Sequence, residues 1–244
     1  MSRVQSTRGP EGNRRLPRGR HALPPETVRQ EQRRRMLAVV PAVSAANGYG
    51  AMSVADIVRA AGVSRNAFYA LFANKQECFA AAVEAGHERL FATLAEPCDP
   101  RAKLEERIEA RLGAALDLLD SDPDLARMLI VEVPAAGRGQ ALRQHEWLRR
   151  YGELLRAAWA SGAAERDGDE DGGFERIVVS GLATRLAAEL LASDPPRIRL
   201  LTPNFVAFLM AVHGPAAETG APAETARASA APARRASSRR RAAG

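Results

Sequence analysis

The sequence predicts an all-α protein of about nine helices, and three observations lead there. Apolar residues recur at three- and four-residue spacing from about residue 26 to residue 213, and no stretch alternates long enough for a strand. Ala, Leu, Val and Arg dominate while aromatics make up only 5% of the chain, a composition that favours helix over sheet. Helix punctuation (Asn47-Gly48, Ser53, Ser64, Asn74, Asp122-Pro123) falls between the periodic segments.

Taken in order, a first helix is predicted from about Glu26 to Asn47, with Met36, Val39, Val40 and Val43 on one stripe. Pro41 lies inside it, where the ring removes a hydrogen bond at about 3 kcal/mol, so a kink is expected there. Asn47-Gly48 is a good C-terminal stop. Two short helices follow. Ser53, with Asp56 three residues on, opens the first, and Val54, Ile57 and Val58 give it an apolar face. Ala61-Gly62-Val63 forms the turn, since Gly62 takes the left-handed conformation cheaply. Ser64 caps the second.

Asn74-x-x-Glu77 resembles a capping box and starts a longer helix reaching about Leu94. Residues 101–120 carry Leu104, Ile108, Leu112, Leu116 and Leu119 at helical spacing. Asp122-Pro123 opens a segment running through Val133, closed by Pro134 and Gly137. Residues 140–161 form a further amphipathic helix, followed by an acidic loop, "ERDGDEDGG". Residues 174–193 and 197–213 supply two strongly apolar last helices, separated by Pro195-Pro196.

Residues 1–24 and 215–244 lack apolar periodicity and read as disordered basic tails. Hydrophobic residues make up 46% of the chain, enough for a sizeable core between them. The net charge of +6 is unevenly distributed: +5 on residues 1–24, +2 on 25–86, −5 on 87–214 and +4 on 215–244. This asymmetry points to a polyanion near the N-terminal side, although the tails alone also fit a solubilising role. Cys78 and Cys98 form neither a disulfide framework nor a metal spacing. No apolar h-region follows the initial arginines and no run approaches 18 apolar residues. A cytoplasmic protein without metal or cofactor is expected.

The second short helix decides the functional reading. Phe68, Leu71 and Phe72 point to the core, whereas Arg65, Asn66, Tyr69 and Ala73 share the opposite side. That outward face has no carboxylate, and Lys75 sits just beyond. This is the helix-turn-helix layout, in which a capped second helix enters the major groove of double-stranded DNA. Arg pairs bidentately with guanine, Asn with adenine, and Tyr or Lys reaches phosphates.

The stretch "SVADIVRAAGVSRNAFYALFANKQECF" resembles the N-terminal signature of the TetR family of transcriptional regulators. Gly48, Ser53, Ile57, Ala61, Gly62, Val63, Ser64, Phe68, Tyr69, Phe72, Lys75, Glu77 and Phe79 carry the resemblance, which is dense over residues 36–80. It implies a DNA-binding domain at residues 25–86, contacting DNA through Ser53, Ser64, Arg65, Asn66, Ala67, Tyr69 and Lys75. Ala67 departs from the pattern, standing where the family often has a phosphate-binding Thr. The resemblance further implies an effector-binding and dimerisation domain at 87–214, with a homodimer formed through about 174–193 and 197–213. Packing of those two helices into the monomer core is the alternative. A small-molecule effector would bind among the helices from 78 to 162, with Met128, Trp147, Tyr151 and Trp159 as candidate lining or as plain core.

The expected function is therefore a sequence-specific transcriptional regulator, a repressor released by its ligand. The alternative is a nonspecific nucleic-acid-binding protein working through its arginine-rich tails. An enzyme is disfavoured: no nucleophile–base order or phosphate loop is present, and the four His are scattered, with His87-Glu88 and His145-Glu146 reading as surface pairs.

Overall fold

The computed structural model describes residues 24–160 and 173–213. The expectations for residues 1–23 and 214–244, and for most of the acidic loop, lie outside the described residues. Among the described residues the structure has nine helices and no strand. They are α1 (Pro25–Ala51), α2 (Val54–Ala61), α3 (Arg65–Tyr69), α4 (Lys75–Ala95) and α5 (Leu104–Ser121). A composite α6 follows, made of Pro123–Arg127, a π turn at Met128–Glu132, and Val133–Ala135. α7 (Arg138–Ala160), α8 (Gly173–Ala192) and α9 (Thr202–His213) complete the fold, α9 preceded by a 3₁₀ turn at Ile198–Leu201. None of these helices is long and apolar enough to cross a membrane.

Local chemistry sets most boundaries. Ser53 makes a full capping box with Asp56, its hydroxyl oxygen accepting from the Asp56 amide while the Asp56 carboxylate accepts from the Ser53 amide at 3.1 Å. At α4 the Glu77 amide donates to Asn74 Oδ1 at 2.9 Å, but the Glu77 carboxylate reaches back to the Ala73 amide instead. α5 begins at Leu104, later than the periodicity suggests, because the Glu106 carboxylate accepts from the Lys103 amide and fixes the first turn there. Asp122 accepts from the Leu125 amide and Pro123 occupies the first position of α6.

Two expectations are corrected. A kink was expected at Pro41, but the non-helical dihedrals inside α1 are at Gly48 (φ 71, ψ 151). A proline ring fixes φ near the helical value, so the dihedrals at Pro41 stay helical although the ring removes one donor and crowds the Leu37 carbonyl. Glycine at 48 accepts the positive φ, and the following turn carries Tyr49 into the core. Residues 197–213 are likewise not one helix, because the 3₁₀ turn precedes α9.

A continuous core joins the two predicted domains, from Met36, Ile57, Phe68, Phe72 and Phe79 through Leu125 and Leu129 to Leu186 and Phe205. The expected boundary after residue 86 falls inside α4, which runs unbroken through it. At that point α4 crosses α6 closely: a Cβ on Gly86 would stand 2.8 Å from Leu125 Cδ1 and 3.0 Å from Leu129 Cδ2. A second cluster, Ile108, Trp159, Val178, Val206 and Leu209, binds α7, α8 and α9 to α5. α8 and α9 thus contribute Val178, Leu186, Leu190, Phe205 and Leu209 to the monomer core while leaving Ile177 (72%) and Phe208 (41%) exposed.

Candidate nucleic-acid interface and effector cavity

α2 and α3 are too short to stand alone, so their angle is set from outside. Gly62 takes the left-handed conformation (φ 61, ψ 42) and its amide closes the end of α2 on the Val58 and Arg59 carbonyls. From α1, Arg35 donates to the Ala61 carbonyl and, at 3.0 Å, to the Gly62 carbonyl. Ser64 Oγ accepts from the Ala67 amide at 3.1 Å, a cap contributing about 1 kcal/mol. Phe68 and Phe72 are buried, and their rings meet at 5.6 Å. With that side anchored, Arg65, Asn66, Tyr69 and Ala73 all face outward, Tyr69 at 56% exposure. Among the described residues no carboxylate engages the Arg65 guanidinium or the Asn66 amide.

The remaining candidates occupy different positions. Ser53 and Ser64 use their hydroxyls as helix caps, at the starts of α2 and α3. Ala67 is half-buried behind the outward face. Lys75, expected at phosphates, is committed inward. Its Nζ donates to the carbonyls of Tyr49 (3.2 Å), Gly50 (2.9 Å) and Met52 (2.8 Å) and lies 5.0 Å from the Tyr49 ring centroid. An ammonium has three protons, and these three carbonyls use all of them. The lysine therefore ties the start of α4 to the end of α1.

Beyond this domain a cavity of about 180 Å³ lies among α4 to α9. Its walls are mainly leucines and isoleucines, including Leu90, Ile108, Leu116, Leu129, Ile130 and Leu186, with His87, Arg111 and Gln144 as polar members. Of the sequence candidates, Trp147 and Tyr151 line this cavity. Met128 does not, being fully buried in the main core, and Trp159 belongs to the second cluster, against Phe174 and His213. Large residues at helical spacing fill cores as readily as they line cavities, which is why periodicity could not separate the two pairs.

His87 is the residue that sequence reasoning misplaced. It is 4% exposed, not a surface partner of Glu88. The usable signal was its register, since Phe79, Val83, His87 and Leu90 fall on one buried face of α4. Its ring stacks on Trp147 at 4.9 Å, its Nδ1 lies 3.0 Å from Tyr151 Oη, and Tyr151 Oη donates to the His87 carbonyl at 3.3 Å. Burial, helped by the nearby Arg150 charge, lowers its pKa to about 4, so the ring is neutral near pH 7. Burial also pushes the Tyr151 phenol well above its ordinary range and the Cys78 thiol up to about 12. Arg150 covers the Trp147 ring at 4.0 Å and pairs with Glu88 at 3.1 Å, closing this wall from outside.

The π turn of α6 touches both regions. Leu129 and Ile130 line the cavity, while Glu132 Oε2 accepts from the Tyr49 amide at 2.8 Å, next to the carbonyls that hold Lys75. Arg127 Nε stands 3.8 Å from the same carboxylate. Among the described residues no three metal-ligating side chains converge.

Residues 42–82 match the family described as bacterial regulatory proteins of the tetR family. No curated protein matches the chain. The structure is similar to the fatty acid degradation regulator FadR from Bacillus halodurans, at 19% identity, covering 72% of this chain and 96% of that one, with a TM-score of 0.60. It is similar to the transcriptional regulator FadR from Bacillus subtilis in complex with stearoyl-CoA, at 20% identity, 72% and 96% coverage and a TM-score of 0.59. A tetR-family transcriptional regulator from Streptomyces coelicolor is a third, at 21% identity, 75% and 82% coverage and a TM-score of 0.57. At such identities the structural likeness is one of fold. Residues 42–82 thus carry the helix-turn-helix signature of the tetR family of bacterial regulatory proteins, within a chain whose fold is similar to that of solved tetR-family transcriptional regulators.

Proposed function

We propose that the protein is a ligand-released repressor that binds a palindromic operator as a homodimer in the cytoplasm. The observation that carries this reading is the carboxylate-free outward face of α3, held at a fixed angle by Arg35, Gly62 and the Ser64 cap. Arg65 and Asn66 are assigned to base edges and Tyr69 to phosphate or sugar. Ser53, Ser64 and Ala67 approach the backbone at the helix starts, and Lys75 positions α4 rather than contacting DNA.

Dimerisation is assigned to the outer sides of α8 and α9. Exposed Ile177, Gly181, Ala188 and Leu191 form one stripe, and Ala207, Phe208 and Ala211 another. Small and apolar residues at this spacing suit close helix–helix packing with a second copy, and two-fold symmetry then requires a palindromic site. Gly181 has open space where a Cβ would go, so a charged substitution there leaves the monomer intact. Gly181→Arg should yield a folded monomer by sedimentation, whereas an unchanged mass would remove this interface.

Release is assigned to the apolar cavity, a setting that suits an aliphatic effector. The stearoyl-CoA bound by the Bacillus subtilis regulator accords with that class. Filling the cavity presses on Leu129 and Ile130, and the π turn passes the displacement to Tyr49 through Glu132. The test is to select duplexes from a random pool and then challenge the complex with aliphatic compounds. A paired half-site and release at micromolar compound support the proposal. Binding that is steeply salt-dependent without sequence preference would favour the nonspecific reading.

A further inference from the structure

His87 presents a hydrogen-bonding atom that nothing among the described residues uses. The imidazole lines the apolar cavity, yet its Nε2 is buried and has no hydrogen-bond partner among the described residues. Its other nitrogen is spoken for. One proton arrangement satisfies both contacts with Tyr151: Nδ1–H donates to the phenol oxygen, and the phenol O–H donates to the His87 carbonyl. In a neutral ring this leaves Nε2 as a lone-pair acceptor. Stacking on Trp147, itself anchored by its Nε1 donating to Glu84 Oε2 at 3.1 Å, fixes the ring plane. A buried acceptor without a donor is costly, and such atoms call for a missing partner.

We propose that the cavity takes an uncharged, elongated apolar molecule bearing one hydrogen-bond donor, a hydroxyl or an amide N–H, which donates to His87 Nε2. This inference rests on the cavity being the effector site. The volume of about 180 Å³ holds on the order of a dozen water-sized atoms, which suits a chain of about ten carbons. The donor requirement follows from the tautomer that Tyr151 holds, and it separates this ligand from a carboxylate, which needs a proton on Nε2 or the Arg111 charge. Arg111 is occupied in part, its Nε donating to the Glu96 carbonyl at 3.3 Å. Tyr151 is thus a positioning residue, acting on the ligand through the histidine.

The test compares 1-decanol, decyl methyl ether and decanoate by titration calorimetry on the full chain, with tryptophan fluorescence as a second readout. The wild type should bind decanol about tenfold more tightly than the ether, and decanoate no better than the ether. His87→Phe, which keeps a ring against Trp147, should bind alcohol and ether equally. Tyr151→Phe leaves Nε2 in place but releases the tautomer, and should reduce the alcohol preference severalfold; it carries the test should His87→Phe not fold. Equal binding of alcohol and ether by the wild type, a preference that survives in both variants, or tightest binding of decanoate would overturn the inference while leaving the cavity as effector site. Binding of none of the three would overturn both.

Discussion

Lys75→Met removes an ammonium and keeps most of an aliphatic stem, so its effects isolate the three hydrogen bonds to Tyr49, Gly50 and Met52. A hydrogen bond from a charged donor contributes about 1.5–3 kcal/mol, but these share one cation and do not add. Gly50 is exposed and its carbonyl turns to water, whereas those of Tyr49 and Met52 are partly buried and lose a donor. Desolvation of the half-buried lysine offsets part of the gain. The net expectation is a loss of about 2–3 kcal/mol. Urea unfolding should show a lower midpoint with an unchanged slope. DNA affinity measured from low to high salt should fall by a similar factor at every concentration, because no phosphate contact is lost. A variant as stable as the parent, with a salt slope lower by about one, would refute the reasoning and return Lys75 to the phosphates.

Other expectations rest on single contacts. Gly62→Ala should cost about 1–2 kcal/mol by chemical denaturation, because the position requires φ 61 and the new Cβ would stand 2.7 Å from the Arg35 guanidinium. Pro41→Ala should stabilise α1, by about 3 kcal/mol at most, by giving the Leu37 carbonyl an amide partner. Its DNA affinity should not change, since the helix is already regular at Pro41. For His87, folding lowers the pKa from 6.5 to about 4, so the unfolded chain binds the proton first on acidification. Stability from this group is complete above pH 6.5 and is lost as pH falls toward 4, by about 3 kcal/mol in all. His87→Phe should flatten the stability profile over that interval. Arg150, Glu84, Glu88 and Tyr151 surround the ring and remain in the variant as the control.

What the sequence revealed and what it hid divide along physical lines. Ser53, Ser64, Asn74 and Asp122 announced their helix starts because capping is local chemistry between residues about three apart. The two faces of α3 were legible for the same reason, since helical register alone separates Phe68 from Arg65. The inward hydrogen bonds of Lys75 were not legible because its acceptors lie 23 to 26 residues away, and no pattern near residue 75 reveals them. The contacts of the π turn were invisible: the close approach of α6 to α4 at Gly86 and the hydrogen bond from the Tyr49 amide to Glu132 both join residues far apart in the chain. Trp147 and Trp159 looked equivalent until packing put one on the cavity and the other in the second cluster.

The central claim, that the outward face of α3 reads a DNA sequence, is tested most directly by the ratio of operator to scrambled-duplex affinity. It should be measured at several salt concentrations for wild type, Arg65→Ala and Asn66→Ala, with an operator selected from random duplexes. Each substitution should cost about 1–3 kcal/mol on the operator, leave scrambled binding within a few-fold of wild type, and relax preference at one base position per half-site. Equal losses on operator and scrambled duplex, with base preference intact, would contradict the account.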